Sequence, residues 1–91
     1  MLTLANTVSI KQNEENFMLF DNLNGGIYKL NALSYEILSL CDGKNTDEDI
    51  LLNITESFEV TITEAEKDFE GLVRILLDKK YIYDDDNKKR R

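Results

Sequence analysis

The chain has 91 residues, enough for one domain with one hydrophobic core and too few for a core plus a deep enclosed active site. Asp and Glu number 18 against 11 Lys and Arg, a net charge of −7; the last eight residues hold four of the basic and three of the acidic side chains, so the body before them carries −8 and repels a phosphate backbone. There is no His and one Cys, which excludes an internal disulfide and leaves the thiol no imidazole for nucleophilic or zinc chemistry.

Strand signals fill the first third. Val8 and Ile10 alternate with Thr7, Ser9 and Lys11, the pattern of a strand with one buried face, and Asn13 to Asn16 is polar and turn-like. Phe17, Met18, Leu19 and Phe20 follow without a break, which suits a central strand contacted on both faces or a buried helical turn. Asn24-Gly25 is the dipeptide that best tolerates positive φ at both central positions of a hairpin turn, and it places a third strand over Gly26 to Leu30. If Tyr28 and Leu30 face the core, Ile27 and Lys29 face the other way.

Helix signals fill the rest. Asn31 is a good N-cap, Leu33, Ile37, Leu40 and Cys41 recur at helical spacing, and Gly43 after Asp42 sits where a left-handed C-cap is expected. Thr46 with Asp49 approximates a capping box for a second helix whose apolar face is Ile50, Leu51, Ile54 and Phe58. Thr63 with Glu66 matches the box fully and predicts the start of the third helix. Its stripe of Phe69, Leu72, Val73, Leu76 and Leu77 lasts to about Lys80, roughly 25 Å at about 1.5 Å per residue. Tyr81, Ile82 and Tyr83 are expected to cover the open end of the core. Residues 1–83 thus read as one domain and 84–91 as a charged, solvated tail. No apolar run approaches the roughly 20 residues of a membrane span, and Met1 to Ile10 lacks the basic start and long apolar centre of a signal peptide, so the sequence reads as cytoplasmic.

Catalytic and metal chemistry find little support. Cys41 reads as a small buried hydrophobe at the end of the first helix. Asp47, Glu48 and Asp49 point to different sides of a helix, so they do not converge on a cation, and acids in a first turn are explained by the helix macrodipole. The sequence calls for no metal and no cofactor. Tyr28 and Tyr35 resemble stacking platforms for bases, but Glu64, Glu66, Asp68, Glu70 and Asp78 on the third helix oppose a nucleic acid.

The ordered set Ile27, Tyr28, Leu30, Asn31; Leu40-Cys41-Asp42-Gly43; Thr46 and Ile50; Phe58 and Val60; Asp68-Phe69, Leu72 and Lys80-Tyr81-Ile82 resembles the PqqD family of pyrroloquinoline quinone biosynthesis proteins. The resemblance covers residues 17–82. It implies the recognition element of ribosomally made, post-translationally modified peptides: an α+β, winged-helix-like domain with a three-stranded antiparallel sheet followed by three helices. Such a domain is not an enzyme. It binds the leader segment of a precursor peptide, as a strand added beside strand three and against helix three. It then presents the peptide to a radical SAM peptide-modifying enzyme, or to a leader peptidase as in lasso peptide pathways.

The residues support such a groove independently. Strand three, if at an edge, offers unpaired backbone groups to an extended peptide through Gly26, Ile27, Tyr28, Lys29 and Leu30. On the third helix Ile75 falls about 120° from Phe69, outside the centre of the core stripe, and Asp68, Leu72, Ile75 and Lys79 form a second row with an apolar middle. Gly71 costs a helix about 1 kcal/mol against Ala, which suggests a close backbone approach. Two other readings are a small acidic adaptor that binds a protein and no leader, and a winged-helix transcription regulator.

Overall fold

In the computed structural model, which describes residues 1–84, the chain forms β1 (Leu2–Leu4), β2 (Val8–Asn13), β3 (Asn16–Asp21), β4 (Ile27–Leu30), α1 (Ala32–Ser39), α2 (Asp47–Ser57), α3 (Ile62–Asp78) and β5 (Ile82–Asp84). The expected architecture is present: an antiparallel sheet in the order β2-β3-β4 followed by three helices. Phe17 to Phe20 is the central strand, with Leu19 buried between Ile10 and Tyr28 in register. The core adds Ile37 and Leu38 of α1, Ile50 and Ile54 of α2, Phe69 and Leu76 of α3, and Val8.

A second sheet escapes the sequence reading. β1 pairs antiparallel with β5, Leu2 opposite Asp84 and Leu4 opposite Ile82. Three-residue strands carry too little alternation to be legible. The pair closes the core end as expected of Tyr81 and Ile82, both buried, whereas Tyr83 is 43% exposed because the next residue of a strand faces the other way, and Asp84 belongs to β5; residues 85–91, where the rest of the expected tail falls, lie outside the described residues.

Of the local signals, two N-caps stand where expected, one is shifted and the expected C-cap has another role. Asn31 caps α1, its side-chain oxygen accepting from the Ser34 N–H at 2.7 Å. α1 ends at Leu40, so Gly43 is not its C-cap; its φ of +80° instead lets its N–H donate to the Leu2 carbonyl at 3.0 Å, joining the segment to β1. Thr46 and Asp49 close a reciprocal capping box on α2. α3 opens two residues earlier than expected, on Thr61 and Glu64. Thr61-Ile-Thr-Glu and Thr63-Glu-Ala-Glu overlap as boxes; the earlier start places Val60 just before the cap and buried Ala65 four positions into the helix, the geometry of a hydrophobic staple. Cys41 is buried, its thiol donating to the Ile37 carbonyl at 3.2 Å, and burial followed by the nearby carboxylates pushes its pKa up to about 12.

The far end of α3 forms a Schellman motif. The Lys80 N–H donates to the Leu77 carbonyl and the Tyr81 N–H to the Leu76 carbonyl, both at 3.0 Å, with Lys80 at φ +65°. This reversal swings Tyr81 into the core, where its hydroxyl donates to Asp21 Oδ2 at 2.9 Å. Asp21, buried at the end of β3, also accepts from the backbone N–H groups of Asn24 (2.9 Å) and Leu23 (3.1 Å) and from Asn24 Nδ2 (3.1 Å). The loop to β4 is therefore not the two-residue hairpin turn expected of Asn24-Gly25. It runs over residues 22–26, only Gly25 has positive φ, and the Asp21 carboxylate organises it.

Lys80 occupies a position that favours glycine. Lys80→Gly should raise unfolding free energy by about 0.5–1 kcal/mol in chemical denaturation, because relief of left-handed strain outweighs the added freedom of the unfolded chain. Asp21 is held below its ordinary carboxylate value, chiefly by the Asn24 N–H, then by the Asn24 side chain, Tyr81 and Leu23. Its contribution is complete above the unfolded value near 3.8 and disappears as pH falls through the lower folded value. The stability gap between wild type and Asp21→Asn should therefore be constant from neutral pH to about pH 4 and narrow below it. A constant gap throughout acid unfolding contradicts the assignment.

Candidate peptide-binding site

β4 is an edge strand. Among the described residues it pairs only with β3, Phe17 opposite Leu30 and Leu19 opposite Tyr28. The Asp21 N–H donates to the Gly26 carbonyl at 2.8 Å, and the alternation of an antiparallel ladder then turns the backbone groups of Tyr28 and Leu30 toward β3. Those of Ile27 and Lys29 face outward.

Side chains from β4 and α3 enclose an apolar cavity of about 150 Å³ beside this edge. Leu19, Leu76 and Tyr81 form its buried part, Leu30 and Tyr28 its β4 wall, and Leu72, Ile75 and Lys79 its α3 wall. Tyr28 is 42% exposed, so it lies at the rim rather than in the core, while Leu30 packs on the core as expected. The Tyr28 ring lies 6.0 Å from that of Tyr81 and 5.6 Å from Lys79 Nζ, a cation–π contact that joins β4 to α3. Gly26 makes room for that ring: a Cβ there would stand 2.9 Å from Tyr28 Cε2. Hydrogen bonding with Tyr28, then burial and the Asp21 carboxylate, raises the Tyr81 pKa, so the phenol stays protonated as a donor.

The helix row divides. Leu72, Ile75 and Lys79 line the cavity; Asp68 and Gly71 are exposed on α3 and do not. Gly71 has open space where its Cβ would lie, so no contact within the chain demands a glycine. On β4, Ile27 is 64% exposed and Lys29 is exposed on the sheet's outer face. Sequence reasoning missed Leu19 and Tyr81 as lining residues and assigned Leu76 to the core alone. Their pattern is that of core residues, and only the gap between β4 and α3 gives them a second role.

The described residues contain no group of three or more His, Cys, Asp or Glu able to hold a metal ion, and no helix among them is long and apolar enough to cross a membrane. No curated protein matches the chain. Two solved structures share its fold. TbiB1, in complex with the TbiA(beta) leader peptide, is 22% identical with a TM-score of 0.77, over 91% of this chain and 99% of that one. A lasso peptide synthetase B1 complexed with the leader peptide is 24% identical with a TM-score of 0.76, over 91% of this chain and 98% of that one. Residues 16–82, from the first residue of β3 to the first of β5, match the family model described as coenzyme PQQ synthesis protein D, and with most of its length so covered the chain belongs to the PqqD family.

Proposed function

We propose that this protein binds the leader segment of a ribosomally made precursor peptide as a strand on the outer edge of β4, beside α3, and delivers it to a modifying enzyme or leader peptidase. The observation that carries the reading is the meeting of an unpaired strand edge with an apolar cavity at the C-terminal half of α3. The two functions of a peptide site are thereby separated. Backbone pairing at Ile27 and Lys29 supplies affinity, at about 1 kcal/mol net per hydrogen bond. The cavity supplies choice by taking one apolar side chain, worth about 1.5–3 kcal/mol when fully buried. Lys79 at the rim and Lys29 on the strand suit acidic leader residues, each such exposed pair adding about 1 kcal/mol or less.

The solved neighbours support this reading because both were determined with leader peptides bound. On this reading the chain is a cytoplasmic binding protein without catalysis, and the lasso peptide context of one neighbour favours a leader peptidase over a radical SAM enzyme as its client. The net charge of −7 weighs against the transcription-regulator alternative.

Titration with the precursor peptide encoded beside the gene should slow hydrogen exchange at the Ile27 and Lys29 amides and leave α2 unchanged. Tyr28 and Leu30 amides, already bonded to β3, should change less. Lys29→Pro removes an outward donor and spares the inner ladder, so the domain should stay folded and lose at least about tenfold in affinity. Protection centred on α2 would contradict the proposal.

The two apolar residues of the α3 wall should separate binding from folding. Ile75 is 54% exposed, and Ile75→Ala should weaken leader binding by about 1–2 kcal/mol at little cost in stability. Leu76 is 5% exposed, and Leu76→Ala should cost about 2–5 kcal/mol of stability. Equal loss of melting temperature in both, with unchanged affinity per folded Ile75→Ala molecule, rejects the cavity as the binding pocket.

A further inference from the structure

Around α3, the row that faces β4 is not the only one flanking the buried line of Ala65, Phe69 and Leu76. Glu66, Glu70, Val73 and Leu77 recur at the same spacing, displaced by two positions from Asp68, Leu72, Ile75 and Lys79, which puts the rows about 160° apart with the core stripe between them. This second row faces α2. Two clefts lie along it, one of about 860 Å³ bordered by Asp47, Phe69, Val73, Leu77 and, on its far side, Ile75, the other of about 380 Å³ bordered by Leu51, Leu52 and Ile62. They adjoin, since Asp47 and Glu48 are consecutive on α2 and Glu66 and Glu70 are one turn apart on α3.

The surface has an apolar floor and an acidic margin. Leu52 is 57% exposed and Ile62 50%, and because both border one cleft with Leu51 they form a contiguous apolar patch rather than scattered residues. Around them stand Asp47, Glu48, Glu66, Glu70 and Asp78, against Arg74 alone. Such a margin opposes burial against a second copy, because a two-fold contact would bring carboxylates onto carboxylates. It fits the opposite charge.

We propose that this α2–α3 face docks a partner protein through a cationic amphipathic helix, its apolar side on Leu51, Leu52, Ile62 and Val73 and its Lys or Arg residues along the acidic margin. The larger cleft reaches Ile75, which also lines the β4 cavity, but the four apolar contacts named for the helix leave it out, so leader and helix compete for no residue. The proposal rests on the leader-binding reading only in naming the partner's use, which is to receive the peptide held in the groove.

The test uses the full chain, isotopically labelled, and two synthetic helical peptides of about 18 residues, one of Leu and Lys with Leu at helical spacing and one with Glu in place of Lys. The Lys peptide should move the amide resonances of Leu51, Leu52, Ile62 and Glu66, the Glu peptide should move none, and Glu66→Lys with Glu70→Lys should weaken the Lys peptide about tenfold. Perturbations on β4, shifts scattered over all acidic residues, equal binding of both peptides, or indifference to the charge reversals overturns the proposal. Two further results also overturn it: a dimer in ultracentrifugation that Leu52→Ser dissolves makes the occupant a second copy, and tighter peptide binding after removal of residues 85–91 makes it the chain's own basic end. Lys29→Pro keeps the two readings apart. It should weaken leader binding at least about tenfold and leave the Lys peptide unaffected: unchanged leader binding in this variant fails the leader reading alone, and indifference of the Lys peptide to Glu66→Lys with Glu70→Lys fails the docking proposal alone.

Discussion

One hydrogen bond fixes the distance on which the rest of this molecule depends. Tyr81 follows α3 and Asp21 ends β3, 60 residues apart in sequence, and the 2.9 Å contact between them ties the end of the long helix to the loop that launches the edge strand. Neither partner is there by chance. The Schellman reversal at Lys80 turns Tyr81 inward, and the Leu23 and Asn24 amides hold the Asp21 carboxylate. With both ends anchored, β4 and α3 frame between them the apolar cavity of about 150 Å³.

That gap lies beside a common structural liability, and the pair makes the candidate site. An edge strand with unpaired backbone groups invites indiscriminate pairing. Here the outward edge of β4 is four residues long and carries Lys29, and its neighbour Tyr28 bridges to Lys79 across the cavity mouth. The other edge of the sheet, β2, offers exposed Lys11, Gln12 and Asn13 in place of an apolar wall. A peptide that pairs with β4 gains both backbone bonds and a side-chain pocket.

Much of this was legible in the sequence where periodicity runs long. The three strands of the main sheet, the three helices and the N-caps Asn31 and Thr46 follow from alternation, a continuous apolar run and apolar stripes. The α3 start was misplaced because two Thr-x-x-Glu boxes overlap, and only the packing of Val60 and Ala65 chooses between them. β1 and β5 are too short to carry a pattern. At the candidate site, the sequence placed β4 beside the Leu72, Ile75, Lys79 row, which does line the cavity, because Ile75 falls outside the centre of the core stripe of an amphipathic helix. Leu19 and Tyr81 were not, since a residue that is both core and cavity wall looks like core, and the Asp21–Tyr81 bond joins positions that no local rule connects.

The most direct measurement of the central claim is the set of intermolecular contacts between leader backbone and protein backbone in a nuclear Overhauser spectrum of the complex. The account predicts cross-strand contacts from the leader to Ile27 and Lys29 on β4, together with contacts from one apolar leader side chain to Ile75 and Leu72. Contacts along β2, or a leader lying on α2 with no backbone contact to β4, contradict it.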